Sequence, residues 1–305
     1  MSNSYQTQAA QSQNTLQGAT TAFAGVFILS FDALLIRLAA AGSWDILFWR
    51  GLLMCICLGG TYLLRSRQFF ISALYRQGPA TLISGALFGI SSAGFVSSIM
   101  HTHVANTVLI FSTAPLFAAL FTRIFLKEKI GLGAWLAIFA VISGVVMVFS
   151  GSLGQGHVLG DLFALAAAMT VGGNFTLLRR HPHLERIPIV ALGGLVTTLL
   201  ACFQAAPFSL QPESYLVLAI MGLVQMPLAL LLLAAATRML SSPEVSMILL
   251  LEAVLGPFWV WLVLAETPPE TTWLGGGIIL TALTLYFSWS WRRHHKAAPG
   301  SYSSR

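Results

Sequence analysis

Long apolar runs separated by short polar or charged stretches recur along the whole chain. Each run has 17 to 23 residues, which is enough for a helix to cross a hydrocarbon layer ~30 Å thick. The pattern therefore predicts an all-α integral membrane protein. Its ten predicted transmembrane helices cover 22–41, 46–64, 80–100, 105–125, 133–149, 161–178, 189–206, 215–237, 245–265 and 273–291.

One helix-turn-helix pattern occurs twice, first around residues 103–151 and again near the C-terminus. A shift of 138 positions aligns Leu126 with Leu264, Glu128 with Glu266, and Trp135-Leu136 with Trp273-Leu274. These identities indicate an internal duplication. Because each copy holds an odd number of spans, the second copy is predicted to be inverted relative to the first.

The duplication predicts two five-helix repeats, 19–150 and 151–291, between two short tails. Residues 1–18 are uncharged and rich in Gln, Ser, Asn and Thr, which predicts a disordered cytoplasmic tail. The Lys and Arg residues of 292–305 predict that this segment is a basic cytoplasmic tail. We expect one chain to form a complete pseudo-symmetric unit, as a monomer or homodimer.

Composition places the chain in a lipid bilayer. Only 9% of its residues are charged and its mean hydropathy is +0.80, whereas soluble domains carry about a quarter charged residues. If the N-terminus is cytoplasmic, 14 of the 16 Lys and Arg residues fall on the cytoplasmic side. This charge bias predicts that both termini are cytoplasmic in the inner membrane of a bacterial cell. It also explains the net charge of +6 without a nucleic-acid partner.

Three elements carry a family resemblance. The Pro115 helix runs into Leu126-Lys127-Glu128, the Leu251-Glu252 helix runs into Leu264-Ala265-Glu266, and Phe48-Trp49-Arg50 opens the second span. With the fivefold repeats, they resemble the EamA-like permeases of the drug/metabolite transporter superfamily over residues 20–290. One departure is Glu252-Ala253, where family members often have Glu-Pro.

The resemblance implies a permease that moves small metabolites, commonly outward, by alternating access between its repeats. It names no substrate, because members of the family handle amino acids, drugs, sugars and nucleotide-linked compounds. An importer or exchanger of the same fold, or a non-transporting scaffold, remains an alternative. We expect a small-molecule substrate and a lipid environment, with proton coupling as a hypothesis.

Two acidic residues, Asp32 and Glu252, lie near the middle of the first and ninth spans. A carboxylate at bilayer depth costs ~2.5–3.5 kcal/mol on insertion scales, so each is expected to face a cavity or a partner. They either bind a cationic substrate group or carry a coupling proton, or they form static bridges with Arg37 or Arg50. Arg50 itself is a candidate for a substrate carboxylate, or for a structural clamp to Asp45 or Asp32.

Other residues complete the predicted site. The uncharged polar residues are either substrate contacts or helix–helix contacts, and Trp49 is a candidate wall of the cavity. Three prolines predict helix kinks, and Gly85 with Gly89 predicts close helix packing. The polar candidates are Asn106, Thr113, Asn174 and Gln225, and the prolines are Pro115, Pro227 and Pro257.

The sequence contains no signature of an enzyme. G-x-S-x-G, Walker A and H-E-x-x-H motifs do not occur, and each would mark a distinct catalytic chemistry. We therefore expect no catalytic residue, no cofactor and no metal site. The prediction is a secondary transporter of small organic solutes that works as an exporter.

Overall fold

The computed structural model describes residues 2–67, 70–127, 131–153, 155–237, 239–240 and 242–297. Every regular element within these ranges is helical. The helices are α1 (Ser2–Leu29), α2 (Asp32–Leu38), α3 (Ser43–Ser66), α4 (Phe70–Gln77), α5 (Pro79–His101), α6 (Val104–Phe111), α7 (Ala114–Phe125), α8 (Leu132–Ser152), α9 (Val158–Arg180), α10 (Arg186–Ala201), α11 (Pro212–Ala219), a π-helical turn (Ile220–Gln225), α12 (Met226–Ala236), α13 (Ser242–Leu264) and α14 (Glu270–Ala297).

Nine helical segments of the described residues are long and apolar enough to cross a membrane. The chain is thus a multi-pass membrane protein. The predicted seventh span, 189–206, is the shorter helix α10, which has 16 residues and extends ~24 Å at 1.5 Å per residue. A loop follows α10 and leads to Pro212, where α11 begins.

The two ends of the chain differ from the sequence expectation in extent. Helix α1 begins at Ser2, so residues expected to form a disordered tail continue the first span as helix. The apolar part of that span begins only at Leu16, and the Ala and Gln residues before it have good helix propensity. Helix α14 continues to Ala297, and the rest of the predicted basic tail lies outside the described residues.

Two of the spans consist of paired helices with a break at mid-span. The first span breaks at Ser30-Phe31, between α1 and α2, and the fourth breaks at Ser112-Thr113, between α6 and α7. Pro115 lies in the first turn of α7, directly after the second break. A proline donates no backbone hydrogen bond, so it is well suited to this first turn.

The other two candidate kink residues have different surroundings. Pro227 lies in the first turn of α12, immediately after the π-helical turn Ile220–Gln225. Pro257 lies inside α13, which continues without interruption. A proline inside a helix removes one backbone hydrogen bond, but here the helix remains a single element.

Glycine allows α5 and α10 to approach closely. A Cβ atom on Gly89 would lie 2.7 Å from the carbonyl oxygen of Gly193, and one on Gly85 would lie 2.5 Å from the Leu192 side chain. No larger residue fits at either position without moving its neighbour. The predicted close packing at Gly85 and Gly89 is therefore confirmed.

The two halves of the fourth span are packed differently. Helix α6 contacts α5, α9, α13 and α14, whereas α7 packs chiefly on α9 and more weakly on α8. Among the described residues, helix α7 makes little contact with α1 or α13. The bundle is thus closely packed at the end where α6 begins and looser at the end where α7 finishes.

Candidate functional site

An ion pair lies directly at the break in the first span. The Nη2 atom of Arg50 is 3.1 Å from Oδ2 of Asp32, and both side chains are almost fully buried. Asp32 is the first residue of α2, and Arg50 faces it from α3. Of the partners that the sequence left open, Asp32 thus pairs with Arg50, whereas Asp45 accepts a hydrogen bond from the Ala206 backbone N–H.

Glu252 approaches this pair from the second half of the chain. Its carboxyl group interacts electrostatically with Asp32 and Arg50, and its side chain is partly exposed. Among the described residues, no cation lies within 4.0 Å of the Glu252 carboxyl group. The site therefore holds two carboxyl groups and one guanidinium, of which only Asp32 and Arg50 are paired.

The break that positions Asp32 is held by side chains from the second half. The Gln225 amide Nε2 donates to the carbonyl oxygens of Ile28 and Leu29, at 3.1 and 3.4 Å. These carbonyls lie in the last turn of α1, where the regular helical hydrogen bonds end, although the Ile28 carbonyl also accepts a bond from the Phe31 N–H at 3.4 Å. The indole N–H of Trp259 donates to Ser30 Oγ at 2.9 Å.

Helix α13 presents Glu252, Gly256 and Trp259 on one face, because these residues are spaced by one helical turn. A Cβ atom on Gly256 would lie 3.8 Å from Ser30 O and 3.6 Å from the Val108 side chain. The first, fourth and ninth spans therefore meet at Gly256. The Trp259 ring stacks on Phe31, with centroids 4.7 Å apart, and forms an aromatic wall beside the charged groups.

Several buried polar atoms of this site have no hydrogen-bond partner among the described residues. They are Oδ1 of Asp32, Nε and Nη1 of Arg50, and Oε1 of Gln225. Buried polar atoms are normally paired, because leaving one unpaired costs ~1–3 kcal/mol. The site thus offers both hydrogen-bond donors and acceptors to a polar molecule.

A second polar cluster closes one end of the bundle, and we call it the Glu266 network. Its charged part joins Arg37 Nη2 to Glu266 Oε2 at 3.2 Å and His103 Nδ1 to Glu266 Oε1 at 3.5 Å. The Val104 N–H also donates to Glu266 Oε1 at 2.8 Å. Arg37 donates in addition to the carbonyl oxygen of Thr102 at 3.0 Å.

The buried part of the Glu266 network centres on Asp161, which is inaccessible to solvent. Thr102 Oγ1 donates to Asp161 Oδ1 at 2.7 Å, Asn106 Nδ2 donates to the same oxygen at 3.2 Å, and Ser152 Oγ donates to Oδ2. Thr272 Oγ1 donates to Asn106 Oδ1 at 2.6 Å. The network therefore links helix ends from both halves of the chain.

Glu266 lies in the loop between α13 and α14, outside the membrane-spanning helices. Its burial acts to raise the pKa, but the hydrogen bond with His103, the Val104 N–H and the charge on Arg37 together lower it below the ordinary value of 4.5. The carboxylate is thus held in its charged form.

The remaining predicted site residues lie in other places. Trp49 donates to the carbonyl oxygen of Pro207 at 2.8 Å, and Asn174 accepts a hydrogen bond from Ser84 between α5 and α9. Thr113 bonds to the carbonyl oxygen of Ile110 at the break in the fourth span. Asn106 belongs to the Glu266 network. The structure brings together only Asp32, Arg50, Gln225 and Glu252.

Sequence reasoning missed Asp161 and Glu266 as members of a polar network. The prediction placed Asp161 at the start of a span and used Glu266 only to align the repeats. Each is an acidic residue beside an apolar run, which is a usable signal. Their partners are not readable from sequence spacing, because Thr102 and Asp161 are 59 positions apart.

Comparisons with known proteins agree with this architecture. The sequence profile described as the EamA-like transporter family matches residues 16–150 and again residues 158–288. A solved crystal structure of a protein superposes with a TM-score of 0.61 at 17% identity, over 93% of this chain and 98% of that one. At this identity the superposition supports the fold alone.

Two curated relatives are distant but cover most of the chain. The pseudopaline exporter CntI of Pseudomonas aeruginosa strain UCBPP-PA14 is 26% identical over 216 residues, or 69% of this chain and 75% of the relative. The protein of the same name from strain PAO1 is 27% identical over 217 residues, with the same coverage. The profile covers both halves of the chain, including all the residues that surround Asp32, Arg50 and Glu252. The chain therefore belongs to the EamA-like transporter family and is a membrane transporter.

Proposed function

We propose that this protein is a secondary transporter that exports small organic solutes, with its solute and coupling site at Asp32, Arg50 and Glu252. The observation that carries the proposal is the meeting of these three charged groups, from both halves of the chain, at the break in the first span. Ionisable residues at membrane depth are costly and usually functional. Transporter sites are typically formed at broken helices between two repeats.

Each group has a proposed role. Oδ1 of Asp32 and the unpaired nitrogens of Arg50 form hydrogen bonds with the polar groups of the solute. Glu252, which is partly exposed and lacks a cation within 4.0 Å among the described residues, exchanges the coupling proton. Gln225 and Trp259 hold the break so that Asp32 keeps facing Arg50.

We further propose the predicted topology in full, with ten spans, inverted repeats and both termini in the cytoplasm of a bacterial cell with the protein in its inner membrane. Helix α10 then serves as the seventh span. It packs between α3 and α5 and most of its residues are buried, so a span somewhat shorter than the hydrocarbon layer is tolerated. The Glu266 network then faces outward, and the loosely packed end at α7 faces the cytoplasm.

The test is solute flux in proteoliposomes under an imposed pH gradient. The panel contains amino acids, organic cations and sugars, each compared with protein-free liposomes. We expect flux of at least one class to follow the gradient and to fall at least tenfold in Asp32→Asn and in Glu252→Gln. Asp45→Asn is the matched control, because it makes the same chemical change at a carboxylate outside the site and is expected to retain flux.

Other outcomes would contradict the proposal in distinct ways. Full flux and full pH dependence in both site variants would remove Asp32 and Glu252 from the mechanism. Flux driven inward under every gradient would favour an importer. The lack of flux for the whole panel would favour a non-transporting scaffold.

A further inference from the structure

The Glu266 network has two parts with different physical character. Asp161 is completely buried and is bonded to neutral hydroxyl and amide groups. The side chains of Arg37, Glu266 and His103 are 27%, 20% and 25% exposed, and Arg37 and Glu266 form the ion pair. Partly exposed ion pairs exchange readily with water, because their net contribution is small. The charged part is therefore the easier of the two to open.

The charged part also bridges elements that must separate if the site is to open at this end. Arg37 belongs to α2, in the same broken span as Asp32, whereas Glu266 follows α13, the helix that carries Glu252. His103 and Val104 lie at the start of α6. The three spans that meet at Gly256 are thus tied together a second time by one carboxylate.

The packing of the bundle differs between its two ends in a way that agrees with this arrangement. Helix α6 is packed against α13 and α14 beneath the network, whereas in the described part of the chain α7 makes little contact with α1 or α13. Val108 of α6 is 3% exposed and lies between the network and the charged site, against Gly256. The structure therefore has one closed end, and Glu266 lies at its rim.

We propose that Arg37, Glu266 and His103 form a gate that closes this end of the transport path and must break for the site to open there. The role of this gate rests on the proposed transport function, whereas the contacts that form it do not. Its opening is measurable without any transported solute. The buried part of the Glu266 network, around Asp161, stays formed whether this end is open or closed.

The first test is the labelling rate of a cysteine placed beneath the gate. Val108→Cys is introduced into a chain in which Cys55, Cys57 and Cys202 are replaced by alanine, and a membrane-impermeant maleimide is applied from the Glu266 side. We expect Glu266→Gln to raise the labelling rate at least fivefold, because the ion pair is lost while a side-chain oxygen remains for the Val104 N–H. Glu270→Gln is the matched control, since Glu270 is an exposed carboxylate nearby in the chain and is expected to leave the rate unchanged.

The second test tethers the gate instead of weakening it, which guards against a variant that merely misfolds. Arg37→Cys and Glu266→Cys are combined in the same cysteine-free chain and joined with a short bis-maleimide. Joining is expected to abolish the flux that the same double-cysteine chain shows before the reagent is added, and a monofunctional maleimide on that chain controls for modification alone. An unchanged labelling rate in Glu266→Gln, or full flux after tethering, would overturn the gate. A loss of flux in all variants and in the wild type would instead contradict the proposed function.

Discussion

At the scale of single residues, the Asp32–Arg50 pair has the largest energetic consequences. Two charges taken out of water are stable only while each compensates the other, so removal of one partner typically costs ~3–5 kcal/mol. Removal of both avoids the uncompensated charge and is often nearly neutral. We therefore expect the effects of the two substitutions on stability to depend on each other, whereas in transport each side chain has its own role.

We predict that Arg50→Leu lowers the free energy of unfolding in detergent by about 3 kcal/mol, because it leaves Asp32 buried and unpaired. The double variant Asp32→Leu/Arg50→Leu is expected to recover most of that loss. Thermal unfolding, monitored by circular dichroism, measures the stability of the single and of the double variant. Equal destabilisation in the single and double variants would show that the pair does not act as a unit.

The contribution of Glu266 to the stability of the folded protein is expected to depend on pH. Its pKa in the folded protein is below 4.5, so the stability that it contributes is present above the unfolded value and is lost as the pH falls through the folded value. Glu266→Gln is therefore expected to reduce stability at pH 7, by about 1 kcal/mol for a partly exposed charged contact. The difference from wild type should shrink as the pH falls below 4.5 and through the lower folded value, and a difference that persists once the carboxyl group is protonated would exclude the charge as its cause.

The sequence predicts which single residues belong to the site better than it predicts their partners, because the partners are distant in the chain. Asp32, Arg50 and Glu252 were identifiable because a charge in an apolar run is itself unusual. Their pairing was left open, because Arg37 and Arg50 were equally plausible partners in sequence. Asn106 was noticed as a polar residue at membrane depth, but its bonds to Asp161 and Thr272 depend on packing between distant helices.

At the scale of helices, close backbone contact fixes the relative positions of α3, α5 and α10. Gly51 meets the carbonyl oxygen of Gly194, with a Cβ position only 2.6 Å away, and Gly89 meets Gly193 in the same manner. Small residues allow this approach, which contributes packing where lipid offers no hydrophobic driving force. Arg50, one residue before Gly51, is held in position by this contact.

We predict that Gly89→Leu separates α5 from α10 and lowers the unfolding free energy by about 1–3 kcal/mol, the range typical of overpacking. Gly60→Ala is the matched control, because a Cβ there meets nothing within 4 Å. Thermal unfolding of both variants in detergent decides the comparison. A tolerated Gly89→Leu would contradict the close packing of α5 on α10.

Helix breaks were less predictable than helix packing. Pro115 and Pro227 lie beside interruptions in the fourth and eighth spans. The break at Ser30-Phe31 has no proline and no glycine. It depends on residues from the second half of the chain: Gln225 donates to the carbonyl oxygens at the end of α1, and Trp259 donates to the Ser30 hydroxyl. No local sequence pattern reports such contacts.

At the scale of the whole molecule, the charge distribution predicts which loops face each side of the membrane. In the cysteine-free chain described above, Gln155→Cys is expected to react with a membrane-impermeant maleimide added to intact cells. Arg67→Cys is expected to react only after the cells are permeabilised. The reverse pattern would invert the topology, and labelling of both positions in intact cells would contradict the odd number of spans, three, that the topology places between them.

The overall architecture was the most predictable level, because length, hydropathy and the internal repeat all report it directly. The helical membrane fold and the family are confirmed. The exception is the seventh span, where the apolar run is long enough but the helix ends at Ala201. Hydropathy reports how apolar a segment is, but it does not report where a helix buried among other helices turns into a loop.

The proton carried by Glu252 is the central claim, and proton movement during transport tests it most directly. A solute that is transported in the flux assay is added to proteoliposomes loaded with a pH-sensitive dye, without an imposed gradient. We predict that solute movement through the wild-type protein changes the internal pH, and that Glu252→Gln transports solute down its gradient with no pH change. An equal pH change in Glu252→Gln, or none in the wild type despite solute flux, would contradict the account.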